Sequence, residues 1–256
     1  MYNILLTLEY DGTNYHGWQS QAQSGKSTIQ ETVELAIGKI ANEAVKTTSS
    51  GRTDAGVHAF CHVANFKTTR GIPPAAWAPA LNHVLPVDIR VRSSKEVTAE
   101  FHARYSALGK TYRYRILNRR EPTALYRNYA WHVNLPLFVE NMKQAAECLV
   151  GTHDFSAFRG AGCSAKTPVR TMKSVAIKQS DEFVEVWLEA DAFLQYMVRN
   201  ITGTLVEVGL GRFKPEAMRE ILRARDRSKA GRTAPPQGLY LMSVTYPADQ
   251  VVEGSQ

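Results

Sequence analysis

The stretch VKTTSSGRTDAGVHAFCHVANFK, residues 45–67, decides how the rest of the chain is read. Residues 45–49 and 57–67 are strand-like, and the polar segment between them carries Gly51 and Gly56. Glycine permits backbone angles that other residues avoid, so the pair marks a sharp loop between two strands. Inside the loop, Asp54 follows Arg52 by two positions. Two local readings stand. The segment is an ordinary turn with a surface ion pair, since aspartate is a routine turn residue, or it is a reactive site.

Working outward, residues 3–10 alternate, with Ile4, Leu6, Leu8 and Tyr10 on one face of a half-buried strand. Asp11-Gly12 then turns the chain into a polar loop with Tyr15, His16 and Trp18. Thr28-Ile29-Gln30-Glu31 has the capping-box pattern, and Ile29, Val33, Ala36, Ile37 and Ile40 follow at helical spacing. Beyond the central loop, Pro73-Pro74 introduces a short helix containing Trp77, Leu81 and Val84, and residues 88–97 read as a strand. The first half is therefore β-α-β-β-α-β, the ferredoxin-like order.

The second half repeats that order with longer insertions. Strands are expected at 111–117, 171–178, 183–190 and 239–246, with Ser180-Asp181-Glu182 as a hairpin turn. Helices are expected at about 137–149, 194–209 and 215–225, the second striped by Leu194, Val198, Ile201, Leu205 and Val208. The expected fold is mixed α+β. Two ferredoxin-like halves, 1–108 and 109–256, would carry mainly antiparallel sheets flanking a central active-site cleft. The last ten residues read as a loose tail.

The 256 residues carry a net charge of +7, which favours a polyanionic partner without requiring one. Three cysteines, Cys61, Cys148 and Cys163, make an odd count without CxxC spacing. That argues against a disulfide framework and a structural zinc site. The first residues, MYNILLTLEYDG, lack a basic leader, and Glu9 interrupts the apolar run. Neither a signal peptide nor a membrane span is read, so the expected location is cytoplasmic. His58 and His62 have a spacing that holds a metal on a helix, but this run is strand-like with no third ligand nearby. No metal is expected. Residues 160–167, GAGCSAKT, nearly match a phosphate-binding loop, yet alanine replaces the second glycine and Pro168 blocks the helix that should follow. No nucleotide cofactor is expected, and Lys166, Arg170 and Lys173 read better as contacts to a phosphate backbone.

GRTDAGVHA at 51–59 resembles the active-site motif of the TruA family of tRNA pseudouridine synthases. The likeness extends through YDGTNYHGWQ at 10–19, FHARYSALGKTYRY at 101–114, FLQYMVRN at 193–200 and GLYL at 238–241, in the family's order. It implies a cofactor-free isomerase that acts on uridines 38, 39 and 40 of the tRNA anticodon stem-loop, works as a homodimer and flips the target base from its stack. It implies that Asp54 is the catalytic nucleophile and that Arg199 holds its carboxylate. Arg52 would stabilise or replace the extruded base, and Tyr112 and Leu239 would line the pocket. It also implies RNA contacts from Phe101, His102, Ala103, Arg104, Tyr105 and Arg120, and from Gly162, Cys163, Ser164, Ala165 and Lys166. Read without the family, Tyr112 is a core aromatic on a strand, and Arg199 an arginine snorkelling from a helix edge. Lys110, Arg113, Arg115 and Arg119 join Arg104 and Arg120 in a basic cluster at the join of the halves. Arg223, Arg225, Arg227, Lys229 and Arg232 read as a solvated surface. The alternative from another class is a non-catalytic RNA-binding module, whose RRM aromatic signature is absent.

Overall fold

A computed structural model describes residues 1–19 and 27–250. It is mixed α+β with mostly antiparallel strands, and it divides into two compact units.

The first unit is Met1–Leu108 with the stretch from Leu241. Its elements are β1 (Tyr2–Tyr10), α1 (Ile29–Ala41), β2 (Thr47–Ser49), β3 (His58–Thr68), α2 (Trp77–Val84) and β4 (Ile89–Glu96). β3 pairs with β1 and β2, and β1 pairs with β4, all antiparallel. This is the ferredoxin-like arrangement that the element order implied. Ile4 lies opposite Phe66 and Leu6 opposite Ala64, all four buried, so alternation sets the register. The register shifts between Leu8, opposite His62, and Tyr10, opposite Ala59. Such an irregularity re-aims a side chain at the strand end.

The capping box forms as read: Glu31 N–H donates to Thr28 Oγ1 at 3.3 Å, and Thr28 N–H to the Glu31 carboxylate at 3.2 Å. Trp77 enters the core edge-on to Phe66, with ring centroids 5.0 Å apart.

The second unit is Gly109–Tyr240. It holds β5 (Gly109–Asn118), β6 (Trp131–Val133), α3 (Val139–Ala146), β7 (Gly151–Asp154), β8 (Val169–Ser180), β9 (Phe183–Ala190), α4 (Met197–Gly209) and α5 (Ala217–Ala224), and opens β10 (Leu239–Thr245). The strand order is β10-β5-β9-β8-β7, with β6 parallel to β5. β8 and β9 form the expected hairpin, with Asp181 in the left-handed region at φ 50°. α4 begins at Met197 rather than near 194, because Tyr196 ahead of it sits at φ 62°. Eleven of its 13 residues are buried, so it is a core helix rather than an amphipathic one.

The stretch from Leu241 belongs with the first unit, whereas the sequence placed it with the second half. Val244 and Tyr246 pack on Leu5, Val63, Val97 and Phe101, and the Tyr246 hydroxyl donates to the Ala103 carbonyl at 2.7 Å. Residues 251–256 of the expected tail lie outside the described residues.

Candidate active site

Asp54 stands half-exposed at the turn between β2 and β3, with exposed Arg52 two positions before it. The turn is closed by Val57 N–H donating to the Asp54 carbonyl at 3.1 Å, with Gly56 at φ 77°. The segment after β1 holds this loop from the other side. Trp18 N–H donates to the Thr53 carbonyl at 3.0 Å, and the Tyr10 hydroxyl bonds Thr53 Oγ1 at 2.8 Å. Tyr10 also reaches His62 Nδ1 at 3.2 Å, and Trp18 stacks on the His62 ring with centroids 3.8 Å apart. His58 lies beside the Asp11 carboxylate at 3.1 Å and accepts from Gly12 N–H at 3.1 Å. Both histidines are thus buried bracing groups of the loop.

Two glycines make this approach possible. A Cβ on Gly12 would lie 2.0 Å from the Val57 carbonyl oxygen. One on Gly17, itself at φ 80°, would lie 2.5 Å from that of Thr53. The DGTNYHGW segment is therefore the support of the GRTDAG loop. Its sequence signal was the pair of glycines flanking aromatic residues, which the alternation argument passed over.

In the second unit, Tyr112 on β5 is buried and meets Phe193 edge-on at 5.0 Å. Leu239, the first residue of β10, is buried as well. Arg199 on α4 donates from Nε to the Ala234 carbonyl at 2.7 Å, and its guanidinium lies 4.9 Å from the Tyr196 ring. Ala234 N–H returns a bond to the Arg199 carbonyl at 3.0 Å. Tyr114 donates to Pro235 at 2.6 Å, and burial pushes its phenol well up despite nearby Arg199 and Arg232. The segment before β10 is thus clamped between α4 and β5.

In the 101–105 segment, Phe101 and Ala103 are core residues. Asn65, bonded to Asn3 at 2.9 Å, accepts from Ala103 N–H at 2.9 Å. His102 Nδ1 accepts from Arg104 N–H at 3.2 Å and Tyr105 N–H at 3.3 Å. The outward groups are therefore Arg104 and Tyr105, the latter 77% exposed with the guanidinium 5.7 Å from its ring. Arg120 is exposed.

The basic cluster at the join is not uniform. Arg113 and Arg115 share the Glu185 carboxylate at 3.5 and 3.3 Å. They stack over Trp187 and Tyr240, and over Tyr126 and Phe183, respectively. The second run is likewise no plain solvated surface. Arg232 lies 4.7 Å from the Trp131 ring, and Arg227 is bonded into the fold.

The 160–167 loop leads into β8. Arg159 donates to the carbonyls of Cys163 and Ala165, and Gly162 takes φ 81°. Gly162, Ser164 and Lys166 are exposed, and Ala165 is half-buried. Burial pushes the Cys163 thiol up, but hydrogen bonds from the Ala165 and Gln195 backbone and from Arg159 bring it below the ordinary thiol range.

The family described as tRNA pseudouridine synthase matches residues 7–106 and 145–247. A tRNA pseudouridine synthase A of Thermoanaerobacter sp. (strain X514) is 50% identical over 246 residues, covering 96% of this chain and 100% of the relative. One from Acetivibrio thermocellus is 49% identical over the same shares. One from Cronobacter sakazakii is 44% identical, covering 96% of this chain and 90% of the relative. The family match takes in the braced Asp54 loop, Arg199 and Leu239 alike, and the relatives align nearly end to end. The chain belongs to the tRNA pseudouridine synthase family and is a pseudouridine synthase, an isomerase.

Proposed function

We propose that the protein isomerises uridine to pseudouridine at positions 38, 39 and 40 of the tRNA anticodon stem-loop, with Asp54 as the covalent nucleophile. In the net reaction the N1–C1′ bond breaks, the uracil turns, and a C5–C1′ bond forms. C5 loses a proton and N1 gains one, so no redox partner is needed. A stacked base must first leave its neighbours, at a cost of a few kcal/mol. In this reading Arg52 helps to hold the base out, Tyr112 and Leu239 line its pocket, and Arg199 keeps the Asp54 carboxylate ionised and aimed. Arg104, Tyr105, Arg120 and Lys166 contact the RNA. A homodimer acting in the cytoplasm completes the reading, and the motifs shared with the family support it.

The observation that carries the reading is the Asp54 loop itself. The loop that carries this half-exposed aspartate is held by the Trp18–Thr53 and Tyr10–Thr53 bonds and by close approaches that only Gly12 and Gly17 allow. A plain surface turn needs no such support. A nucleophile does, because holding it in place removes part of the barrier in advance.

Asp54→Asn tests this. The change is nearly isosteric and removes both charge and nucleophilicity. Pseudouridine formation should become undetectable while tRNA affinity stays within about tenfold, or about 1.4 kcal/mol. A tritium-release assay beside a binding titration on the same preparation reads both. Turnover near wild type would end the assignment, and joint loss of binding and turnover would make Asp54 a contact residue.

A further inference from the structure

We propose that Asn200, Arg227 and Thr233 form a positioning unit that sets the guanidinium of Arg199 through Ala234. The inference rests on the assignment of Arg199 to the catalytic carboxylate. Asn200 follows Arg199 on α4 and is 1% exposed. Its Nδ2 donates to the Phe158 carbonyl at 2.8 Å, one residue ahead of the Arg159-bound loop. Its Oδ1 accepts from Arg227 Nη2 at 3.0 Å and from Thr233 Oγ1 at 2.6 Å. Arg227 also donates to Thr233 Oγ1 at 3.0 Å and to the Gly231 carbonyl at 3.0 Å. Ala234, the residue next to Thr233, exchanges two bonds with Arg199. Because a guanidinium is planar, fixing Nε restricts the orientation of the whole group.

The arrangement is costly to build, and that cost bears on its purpose. Arg227 is half-buried, its bonds run to neutral oxygens only among the described residues, and burial pushes its guanidinium down from its ordinary range. A cation without a counter-charge in such a place is a poor source of stability. It is well suited to holding several oxygens in one geometry, since its donors form a rigid fork. The backbones are pressed together at the same point. A Cβ on Gly203 would lie 1.7 Å from the Arg232 carbonyl oxygen, and Gly231 N–H donates to Thr204 Oγ1 at 3.0 Å. Segment 231–234 therefore has one seat on α4, and the Asn200 network sets its depth.

The test measures pseudouridine formation and tRNA affinity for Thr233→Val, Thr233→Ser and Arg227→Lys, each alone and combined with Arg199→Lys. Thr233→Val and Arg227→Lys should lower kcat roughly ten- to a hundredfold, the range for a misplaced group remote from the chemistry. Affinity for tRNA should stay within about threefold, and Thr233→Ser, which keeps the hydroxyl, should restore turnover. In the Arg199→Lys background, which lacks the Nε–H bond being positioned, the same changes should add less than about twofold. Losses that multiply in that background, or that fall on affinity, would overturn the positioning role. Wild-type turnover in Arg199→Ala, which removes the charge as well, would instead remove Arg199 from the reaction, a distinct result. Should Arg227→Lys not fold, Thr233→Val, which exchanges one hydroxyl for a methyl, decides the matter alone.

Discussion

Glu34 illustrates what a single residue can hide. It falls in the helical segment read from the capping box, yet it is buried on α1. Thr47 donates to its carboxylate from N–H at 2.8 Å and Oγ1 at 3.0 Å, Gln30 at 2.9 Å and Lys46 at 3.0 Å. Burial pushes the carboxyl up, but the bonds from Thr47, Gln30 and Lys46 more than offset it, so the group titrates below its ordinary range. A carboxyl depressed in the folded state contributes stability above its unfolded value of about 4.3 and loses it as pH falls through the folded value. Glu34→Gln should therefore cost about 1–3 kcal/mol near neutral pH, because bonds to a charged acceptor are lost. Urea unfolding at pH 7 and at successively lower pH should show that difference shrinking below about pH 4.3. A pH-independent difference would make the effect one of packing. The loop that carries Asp54, by contrast, was legible as a turn between two strands because Gly51, Arg52 and Gly56 form a dense local pattern. Glu34 had none, since its partner strand lies a dozen residues on.

At the scale of elements, α4 separates intrinsic preference from tertiary context. Glycine inside a helix costs roughly 1 kcal/mol relative to alanine, so Gly203→Ala should stabilise an isolated helix. In the fold, the added Cβ would lie 1.7 Å from the Arg232 carbonyl oxygen, and backbone has to move. Gly203→Ala should lower stability by more than about 1 kcal/mol, the overpacking range, and reduce turnover by displacing segment 231–234. Thermal unfolding and a rate assay on the same variant check both, and a raised Tm would show that the segment yields cheaply. The apolar stripe of α4 was readable from spacing. The burial of Asn200 and Thr204 beside it was not, because it depends on a segment some thirty residues later packing there. β6 and β7, of three and four residues, were missed for a related reason. Strands that short carry too few alternations to register.

For the molecule as a whole, the net charge of +7 predicts electrostatic attraction to RNA, but the arginines are not equivalent. Each neutralised phosphate contributes roughly 0.7–0.9 to the slope of log affinity against log salt. Arg104→Ala or Arg120→Ala, both at exposed positions, should flatten that slope by up to about one unit. Arg115→Ala should leave it unchanged, since Arg115 is paired with Glu185 and packed over Phe183. Its loss should instead appear as about 1 kcal/mol of stability, from packing and cation–π contact. Binding titrations across a salt series separate the two groups, and an equal slope change for Arg115→Ala would return it to the RNA footprint.

The sequence by itself determined the element order of residues 1–108, the capping box, the alternation of the first strand and the family, because each rests on residues close together or on motifs kept in order. The two-glycine loop around Asp54 was also local and therefore visible. Only the tertiary structure decided three further things: Tyr10, Trp18 and His62 as a brace of that loop, Arg227 as a network member within the second unit rather than a surface charge, and the stretch from Leu241 as part of the first unit. Those outcomes depend on which backbones come within contact distance. A one-dimensional pattern records a residue's type and spacing, and it does not record the distant partner that buries it.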